Sequence, residues 1–420
     1  MEIRLPYGNR ELRWQAPENV SVLTSRVDQL KSAADGQSIV RAAMAAPIGS
    51  PPLRELAAGK KTCTILISDH TRPVPSRDIL PPMLEELRAG SPDIEITLLV
   101  ATGFHRPTTA DEIVKKLGSE IASREKIVIH DCRQNNAAIG TLPSGAPLVI
   151  DRLAAQTELL IAEGFIEPHF FAGFSGGRKS VLPGVCDRVT VLGNHCSRFI
   201  DSPNARTGVL EGNPIHRDMV AAAHLAKLAY IVNVVVDENK QTVAAFAGDF
   251  EAAHLMGAAF LKEYCGVKAV PADISITTNG GAPLDQNIYQ CVKSMTAAEA
   301  TTRPGGAIIV CAQCADGTGG ESFYRTLRDC ESAESLYAQI MLTPQEKTIP
   351  DQWESQILAR VLKNHPVIMV TEPSLKSVVQ EMKMQYAATL EDALQLAQSL
   401  VGNSPDITVI PNGIAVIVEA

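Results

Sequence analysis

Short apolar runs alternate with amphipathic segments along the first part of the chain. Residues 62–68 read Thr-Cys-Thr-Ile-Leu-Ile-Ser, residues 78–88 are amphipathic, and residues 94–100 are again largely apolar. Runs of this length predict buried strands, and the amphipathic segments predict helices. Their alternation is typical of βαβ units built around a mostly parallel sheet.

The same pattern extends to the end of the chain. Further strands are predicted at residues 126–130, 159–162 and 230–236, and the residues from Thr109 to Glu112 form a capping-box pattern that opens a short helix. After a helix at 251–264 and a turn at Gly266, the pattern starts again with strands at 274–278, 307–310 and 367–370 and a helix at 287–300. A chain of 420 residues is longer than a single hydrophobic core usually supports. We therefore predict two α/β domains, residues 1–270 and 271–420.

Composition narrows the possible partners. The chain is 45% hydrophobic and 20% charged, and its 38 basic and 47 acidic side chains give a net charge of −9, which disfavours a nucleic-acid partner. The first residues lack the apolar stretch of a signal peptide and no run approaches a membrane span, so we expect a cytoplasmic protein without a membrane partner. The nine cysteines are expected to be reduced, mostly buried thiols.

Three predicted strands are followed by loops rich in polar side chains. Asp69 and Arg72 follow the strand at 62–68, His105 follows the strand at 94–100, and His169 follows the strand at 159–162. In open α/β sheets, ligands bind beyond the carboxyl ends of the strands. We therefore expect these side chains to converge on one crevice.

The stretch Gly-Phe-Ser-Gly-Gly-Arg-Lys-Ser at residues 173–180 nearly matches a phosphate-binding loop. Arg178 stands where the triphosphate motif needs a glycine before the lysine, and Pro183 and Gly184 end the following turn early. The sequence therefore favours a glycine-rich anion cradle with Lys179 pointing into it over a triphosphate site.

Any single loop histidine is more often a hydrogen-bonding residue than a catalytic one. The joint placement of His105, His169 and His195 near the glycine-rich stretch strengthens the case for those three. The remaining histidines in amphipathic stretches are interpreted as structural, namely His130, His216, His224, His254 and His365. Cys311 and Cys314 lack the second pair that a zinc ribbon needs.

Taken together, these segments resemble the nickel-dependent lactate racemase family. The shared motifs, in their family order, are Ser68-Asp-His-Thr-Arg-Pro73, Gly103-Phe-His-Arg-Pro107, His169 followed by Gly176-Gly-Arg-Lys179, Gly193-Asn-His195 and Asn287-Ile-Tyr-Gln-Cys-Val-Lys293. They span residues 68 to 293, so the resemblance involves both predicted domains and implies an active site in the cleft between them.

The resemblance implies a nickel-pincer nucleotide as cofactor, a nicotinic-acid-derived mononucleotide that binds nickel through two sulfur donors and one carbon donor. Lys179 is then the residue of possible covalent attachment, and His195 is the protein's nickel ligand. A cradle of Ser175, Gly176, Gly177 and Arg178 would hold the cofactor phosphate, and Asp69 would orient Arg72 or a cofactor hydroxyl. Cofactor-maturation enzymes are implied as partners.

The implied reaction is racemisation or epimerisation of a small-molecule 2-hydroxy acid through a 2-keto acid. His105 and His169 would serve as the two bases that a symmetric reaction needs. Arg72 and Lys293 would supply positive charge to the substrate. Three- and four-residue spacings let Tyr289 and Gln290 share a helix face with Lys293, so all three are expected to contact substrate.

Three other interpretations compete with the one that the resemblance implies. The chain lacks the strand-bound Gly-x-Gly-x-x-Gly motif that a nicotinamide-dependent dehydrogenase needs. Its loops also lack the two histidines at helical ligand spacing that a zinc hydrolase needs. A noncatalytic α/β ligand-binding protein stays open as an alternative. The pattern does not select one 2-hydroxy acid or an oligomeric state.

Overall fold

The computed structural model describes residues 1–31, 34–237, 239–402 and 404–419. The strands of the first 270 residues are β1 (Glu2–Tyr7), β2 (Arg10–Gln15), β3 (Ser21–Val22), β4 (Thr62–Ser68), β5 (Glu95–Ala101), β6 (Lys126–Ile129), β7 (Asn136–Thr141), β8 (Pro147–Asp151), β9 (Leu159–Phe165), β10 (Pro168–His169), β11 (Gly173–Phe174), β12 (Leu228–Val236), β13 (Thr242–Gly248) and β14 (Gly266–Lys268). The helices are α1 (Gly36–Ala45), α2 (Leu53–Ala57), α3 (Ser76–Gly90), α4 (Ala110–Leu117), α5 (Ser119–Arg124), α6 (Arg152–Gln156), α7 (Arg188–Asn194), α8 (Ser197–Asp201), α9 (Pro214–Leu225) and α10 (Ala252–Cys265).

The later part of the chain continues the alternation. Its strands are β15 (Ala272–Thr278), β16 (Thr302–Cys311), β17 (Val367–Val370), β18 (Gln385–Ala387), β19 (Ile407–Ile410) and β20 (Ile417–Glu419). Its helices are α11 (Ile288–Glu299), α12 (Glu321–Asp329), α13 (Ala333–Met341), α14 (Gln352–Asn364), α15 (Lys376–Glu381) and α16 (Leu390–Val401). Short 3-10 turns occupy Val27–Gln29, Gly177–Ser180, Gln345–Lys347 and Pro373–Leu375.

The first large sheet has the strand order β13-β12-β9-β4-β5-β6. Adjacent strands of this sheet run parallel, except that β13 pairs antiparallel with β12 at one edge. In β4, Ile65, Leu66 and Ile67 are consecutive and fully buried because the sheet is covered on both faces. The predicted capping box of α4 is confirmed, since the Thr109 and Glu112 side chains accept each other's backbone N–H.

The second large sheet has the order β18-β17-β16-β15-β19-β3, and every neighbouring pair is parallel. Helices α11 and α14 pack together on this part of the chain, and α16 packs against β16. The predicted α/β class with mostly parallel sheets is confirmed.

The N-terminal segment belongs structurally with the second sheet, which the sequence pattern did not indicate. Strand β3 pairs with β19, and the β1–β2 hairpin contributes Leu5 and Tyr7 to the buried cluster that contains Ile276 and Ile309. The loop of this hairpin is tied down because the Gly8 amide donates to the Asp285 carboxylate at 2.7 Å. The boundary proposed near residue 270 stays a prediction.

Another buried cluster runs through both halves of the chain. It joins Leu66 and Ile215 to Ile288, Ile308 and Leu358. All nine cysteines are free thiols, and all but Cys330 are buried. No helix within the described ranges is long and apolar enough to cross a bilayer.

Candidate active site

The three polar loops predicted to converge follow neighbouring strands of the first sheet. Strand β4 lies between β9 and β5, and all three run in the same direction. Their carboxyl ends therefore meet at one edge of the sheet, which places Asp69, His105 and His169 in adjacent loops.

Asp69 and His105 form a hydrogen-bonded pair. The Nδ1 atom of His105 lies 2.7 Å from Oδ2 of Asp69, and the Thr71 hydroxyl donates to the other carboxylate oxygen at 2.7 Å. Burial alone would raise the pKa of Asp69, but the hydrogen bonds from His105 and Thr71 and the charge of Arg72 lower the pKa below its usual value. The ionised carboxylate holds the imidazole proton on Nδ1 and leaves Nε2 of the half-exposed His105 free for another proton.

His169 is oriented by the backbone of its own hairpin. Strands β10 and β11 pair His169 with Gly173, and the Phe171 and Ala172 amides donate to His169 Nδ1 at 3.5 and 3.3 Å. The other ring nitrogen, Nε2, lies 3.2 Å from Nζ of Lys179. Burial, followed by the charges of Lys293 and Arg72, lowers the pKa of His169 well below its usual value, so the ring is neutral.

Several cations surround Lys179 in the 3-10 turn Gly177–Ser180. Burial, and then the charges of Arg178, Arg72 and Lys293, lower the pKa of Lys179 well below that of an ordinary lysine, while Glu167 opposes the shift. Its Nζ also lies 5.7 Å from the centre of the Phe171 ring. No carboxylate in the described part of the chain forms an ion pair with it.

His195 directly follows α7 and is 4% exposed. Its Nδ1 donates to the Val191 carbonyl at 3.0 Å, which leaves Nε2 with a free lone pair. Phe171 and Trp353 pack edge-on against the imidazole at 5.2 and 5.0 Å between ring centres. Burial lowers the pKa of His195 to about 3, so the lone pair stays available to a metal at neutral pH.

Helix α11 brings residues of the second sheet to the same region. Lys293 Nζ donates to Gln290 Oε1 at 2.7 Å, and the Tyr289 hydroxyl donates to Asp351 at 3.1 Å. Tyr289 is thus held toward the start of α14 and Lys293 is paired with Gln290, while the contact of all three with substrate stays a prediction. Burial and the Arg72 charge lower the pKa of Lys293, so Lys293 interacts electrostatically with the first-sheet loop that carries Arg72.

Several polar groups of the predicted anion cradle form hydrogen bonds with other parts of the protein. The Ser175 hydroxyl donates to the Phe165 carbonyl at 3.0 Å, and the Gly177 amide donates to Asn233 at 2.7 Å. At Gly176, which has φ +77°, an added Cβ would come within 2.6 Å of Asn233, so only glycine fits.

Arg178 is 1% exposed and turns inward. Its guanidinium donates to the carbonyls of Ala172, Ser175 and Gly176 at 2.8, 3.3 and 3.2 Å and to Nδ1 of His216 at 3.0 Å. The guanidinium therefore shapes the loop from within, and its predicted direct contact with a cofactor stays a prediction.

Sequence reasoning missed two side chains at the start of α14. Trp353 stacks on Phe104 with ring centres 6.3 Å apart, in addition to its contact with His195. Glu354 is 1% exposed and interacts electrostatically with Lys293 and Tyr289. In the sequence, Trp353 is one of two tryptophans and lies close to the acids Asp351 and Glu354. That signal is too weak to place Trp353 and Glu354 beside loops of the first sheet.

Comparison with known proteins decides the family. The model for the lactate racemase N-terminal domain matches residues 7–208, and the model for the lactate racemase C-terminal domain matches residues 267–418. The chain belongs to the lactate racemase family. The predicted membership in this family of isomerases is therefore confirmed.

Individual members of the lactate racemase family match over nearly the full length. The lactate racemase of Thermoanaerobacterium thermosaccharolyticum is 51% identical over 421 residues, and that of Lactiplantibacillus plantarum is 49% identical over 421 residues; each match covers 99% of both chains. The solved structure of the T. thermosaccharolyticum lactate racemase apoprotein has a TM-score of 0.97 at 50% identity and covers 100% of both chains. A Thermotoga maritima protein shares the fold at a TM-score of 0.63 and 17% identity, covering 89% of this chain and 100% of its own.

The residues present fit the nickel cofactor associated with lactate racemases. The described residues contain no cluster of three or more histidine, cysteine or acidic groups able to hold a metal by themselves. A metal that takes most of its ligands from a pincer nucleotide needs only one imidazole from the protein, and His195 presents a free Nε2 in a buried aromatic setting.

Proposed function

We propose that the chain racemises lactate or a closely related 2-hydroxy acid. The main support is the placement of two imidazoles, His105 and His169, in adjacent loops. Asp69 binds Nδ1 of His105 and a backbone amide binds Nδ1 of His169, so each Nε2 is directed away from that partner. A reaction that runs equally from both enantiomers needs a base for each, and this arrangement offers two. The family's named members support lactate as the first substrate to test.

A nickel-pincer nucleotide would be held by Lys179 and His195. When bound there, the group would supply hydride-transfer chemistry for the hydrogen on C2 of the substrate. Lys179 offers a partly buried amine for attachment, and His195 offers its Nε2 lone pair to nickel. The glycine at 176 permits close approach of the backbone. Attachment makes maturation enzymes necessary partners of the chain.

His105 and His169 would move the hydroxyl proton. The Asp69 carboxylate stabilises the imidazolium that forms when His105 Nε2 takes a proton, as an acid partner does in other histidine bases. For His169, attachment of the cofactor to Lys179 would remove the amine that contacts Nε2. The His169 ring would then be free to change tautomer and to exchange a proton with the substrate hydroxyl through Nε2.

The substrate carboxylate would be bound by Arg72 and Lys293. Arg72 lies in an exposed loop whose backbone is fixed by Lys116, which donates to the Arg72 carbonyl at 3.1 Å. Lys293 is held by Gln290. The two cations come from different sheets, so the proposed substrate site lies between the two halves of the chain, with Tyr289 as part of its wall.

The proposal is tested with cofactor-loaded protein and a single enantiomer of lactate. Chiral chromatography should show the opposite enantiomer accumulating until the two are equal, without added NAD. His105→Asn and His169→Asn should each slow racemisation in both directions by about 10²–10⁴-fold, the usual contribution of a general base. His224→Asn is the matched control because His224 is an exposed histidine of α9 paired with Glu251.

A single-turnover measurement separates the two bases. With one enantiomer, the variant that keeps the base for that enantiomer should still form bound keto acid, while the other variant should not. The two-base scheme is abandoned if both variants form keto acid from both enantiomers at the parental rate. Dependence of the reaction on added NAD would favour the dehydrogenase interpretation.

A further inference from the structure

The contact between Lys179 and His169 determines the proton positions at this pair. Because the Phe171 and Ala172 amides donate to His169 Nδ1, the proton of the neutral ring sits on Nε2. That N–H points to Lys179 Nζ at 3.2 Å and needs an acceptor lone pair. An ammonium group has none, so this hydrogen-bond arrangement favours Lys179 as a neutral amine in the cofactor-free chain.

The charges around Lys179 favour the same state. Arg72, Arg178 and Lys293 all disfavour a further positive charge at Nζ, and the exposed Glu167 opposes them. Burial adds to their effect and lowers the pKa of Lys179. A neutral lysine amine among cations is the arrangement that enzymes use to form Schiff bases with carbonyl compounds.

The same cations determine which kind of molecule can bind beside the Lys179 amine. Arg72 and Lys293 attract a carboxylate, and the amine nitrogen adds to a carbonyl carbon. A molecule that carries the two groups side by side is a 2-keto acid. We propose that the cofactor-free chain is itself a 2-keto acid binding protein, which captures its ligand as a Schiff base on Lys179.

The step is balanced without an oxidant or reductant. The Lys179 nitrogen attacks C2 of the keto acid to form a C–N bond, and the carbonyl oxygen becomes a hydroxyl as His169 Nε2 relays the proton from nitrogen to oxygen. The C–O bond then breaks, the oxygen leaves as water, and one proton from solvent balances the resulting iminium. The adduct occupies the same nitrogen as the cofactor, so a bound keto acid should block cofactor attachment.

The test uses the full chain expressed without maturation enzymes. It is incubated with pyruvate and sodium cyanoborohydride at pH 7, and intact mass and peptide mapping locate any reduced adduct. We expect labelling at Lys179 at least about tenfold faster than at exposed lysines, because each unit by which a lysine pKa falls gives about tenfold more free amine. Acetone lacks the carboxylate and lactate lacks the carbonyl, so acetone should label poorly and lactate not at all.

Variants separate the site from general lysine chemistry. Lys179→Arg keeps a long side chain but removes the nucleophilic amine and should abolish the fast adduct, whereas Lys262→Ala, at an exposed lysine paired with Glu419, should not change it. Arg72→Ala should slow labelling by pyruvate more than labelling by acetone. Peptide mapping of the unmodified sequence needs no variant, so misfolding of a variant cannot hide the answer.

The inference is overturned if pyruvate gives no adduct, or if its adducts are spread over exposed lysines and persist in Lys179→Arg. It is also overturned if acetone labels Lys179 as fast as pyruvate does. Racemisation is measured separately on cofactor-loaded protein, so failure of the adduct leaves the proposed function standing, and failure of racemisation leaves the adduct standing. When cofactor is supplied after pyruvate and reductant, attachment should fall in proportion to the fraction of Lys179 already labelled.

Discussion

Glu354 places a carboxyl group in an almost fully buried position beside α11. Its Oε1 atom has no hydrogen-bond partner within the described residues. Burial raises the pKa of Glu354 to about 8, although the Lys293 charge opposes the rise. The carboxyl group is therefore mainly protonated at neutral pH and ionises in mildly alkaline solution. Ionisation adds a negative charge near the cation that we assign to the substrate carboxylate.

We expect Glu354→Gln to flatten the alkaline part of the KM profile. In the parent, KM for the 2-hydroxy acid should rise as pH passes about 8, because an ionised Glu354 repels an anionic substrate. An interaction of about 1 kcal/mol corresponds to about fivefold in KM. Glutamine resembles the protonated acid and cannot ionise, so its KM should rise less between pH 7 and 9.

The measurement compares KM from pH 6.5 to 9 in cofactor-loaded parent and variant. Lys293 and Glu354 interact electrostatically, so the difference between the two profiles reports the ionisation of Glu354 together with its effect on Lys293. Glu251→Gln, at an exposed acid, should reproduce the parental profile. Identical slopes in parent and Glu354→Gln would show that Glu354 does not affect substrate binding.

At the scale of structural elements, the turn Gly177–Ser180 depends on the buried Arg178. Three loop carbonyls and the His216 imidazole accept its N–H groups, and His254 Nε2 lies 2.8 Å from Nη1. Burial lowers the pKa of Arg178 to about 9, and burial together with the Arg178 charge lowers the pKa of His216 to about 3. The turn that carries Lys179 is thus held by one charged group among neutral acceptors.

Arg178→Lys should destabilise the protein and release the turn. A lysine ammonium has three donors and cannot span the same acceptors, so buried carbonyls would lose partners at a cost on the order of 3 kcal/mol. We expect a lower melting temperature and loss of the mass increment from cofactor attachment, although Lys179 is still present. Arg217→Lys, at an exposed arginine of α9, should leave both unchanged.

Normal attachment in a destabilised Arg178→Lys protein would mean that Arg178 contributes to folding alone. Normal stability with lost attachment would instead favour the direct cofactor contact that the motif predicted. Thermal unfolding followed by circular dichroism, together with intact mass of protein matured with the cofactor enzymes, gives both answers from one preparation.

For the whole molecule, the proposed metal ligand depends on the second half of the chain. Gln345 donates to the Gly193 carbonyl at 2.9 Å and Gln356 donates to the Ser197 carbonyl at 2.8 Å, one on each side of His195. The buried cluster that joins Leu66 to Ile308 links the same two parts. We infer that the two sheets unfold together.

Gln356→Ala should lower a single melting transition without splitting it. Loss of one buried hydrogen bond costs about 1–2 kcal/mol, and for a chain of this size that corresponds to roughly 1–3 °C in Tm. Differential scanning calorimetry measures the position and number of transitions. Gln241→Ala, whose side chain is exposed in the loop between β12 and β13, is the control. Two separate transitions in either protein would show that the halves unfold independently.

The sequence by itself determined the class of fold and most of the candidate site. Apolar runs such as residues 62–68 become buried strands wherever both faces of a parallel sheet are covered, so their pattern is a local property. The loops carrying Asp69, His105 and His169 could be grouped because strand ends in a parallel sheet share one edge. The motif around Lys179 and His195 indicated the family, which the two domain matches confirm.

Only the tertiary structure decided the partners of these groups. Asp69 and His105 pair across 36 positions of sequence, and the inward-turned Arg178 meets His254 across 76 positions. Trp353 approaches His195 across 158 positions. These contacts depend on side-chain directions that the sequence pattern does not show. The pairing of β3 with β19 likewise depends on the order of strands. Hydrophobic periodicity records which face of an element is buried but not which element covers it, so neither the amine state of Lys179 nor the burial of Glu354 could be read from the sequence.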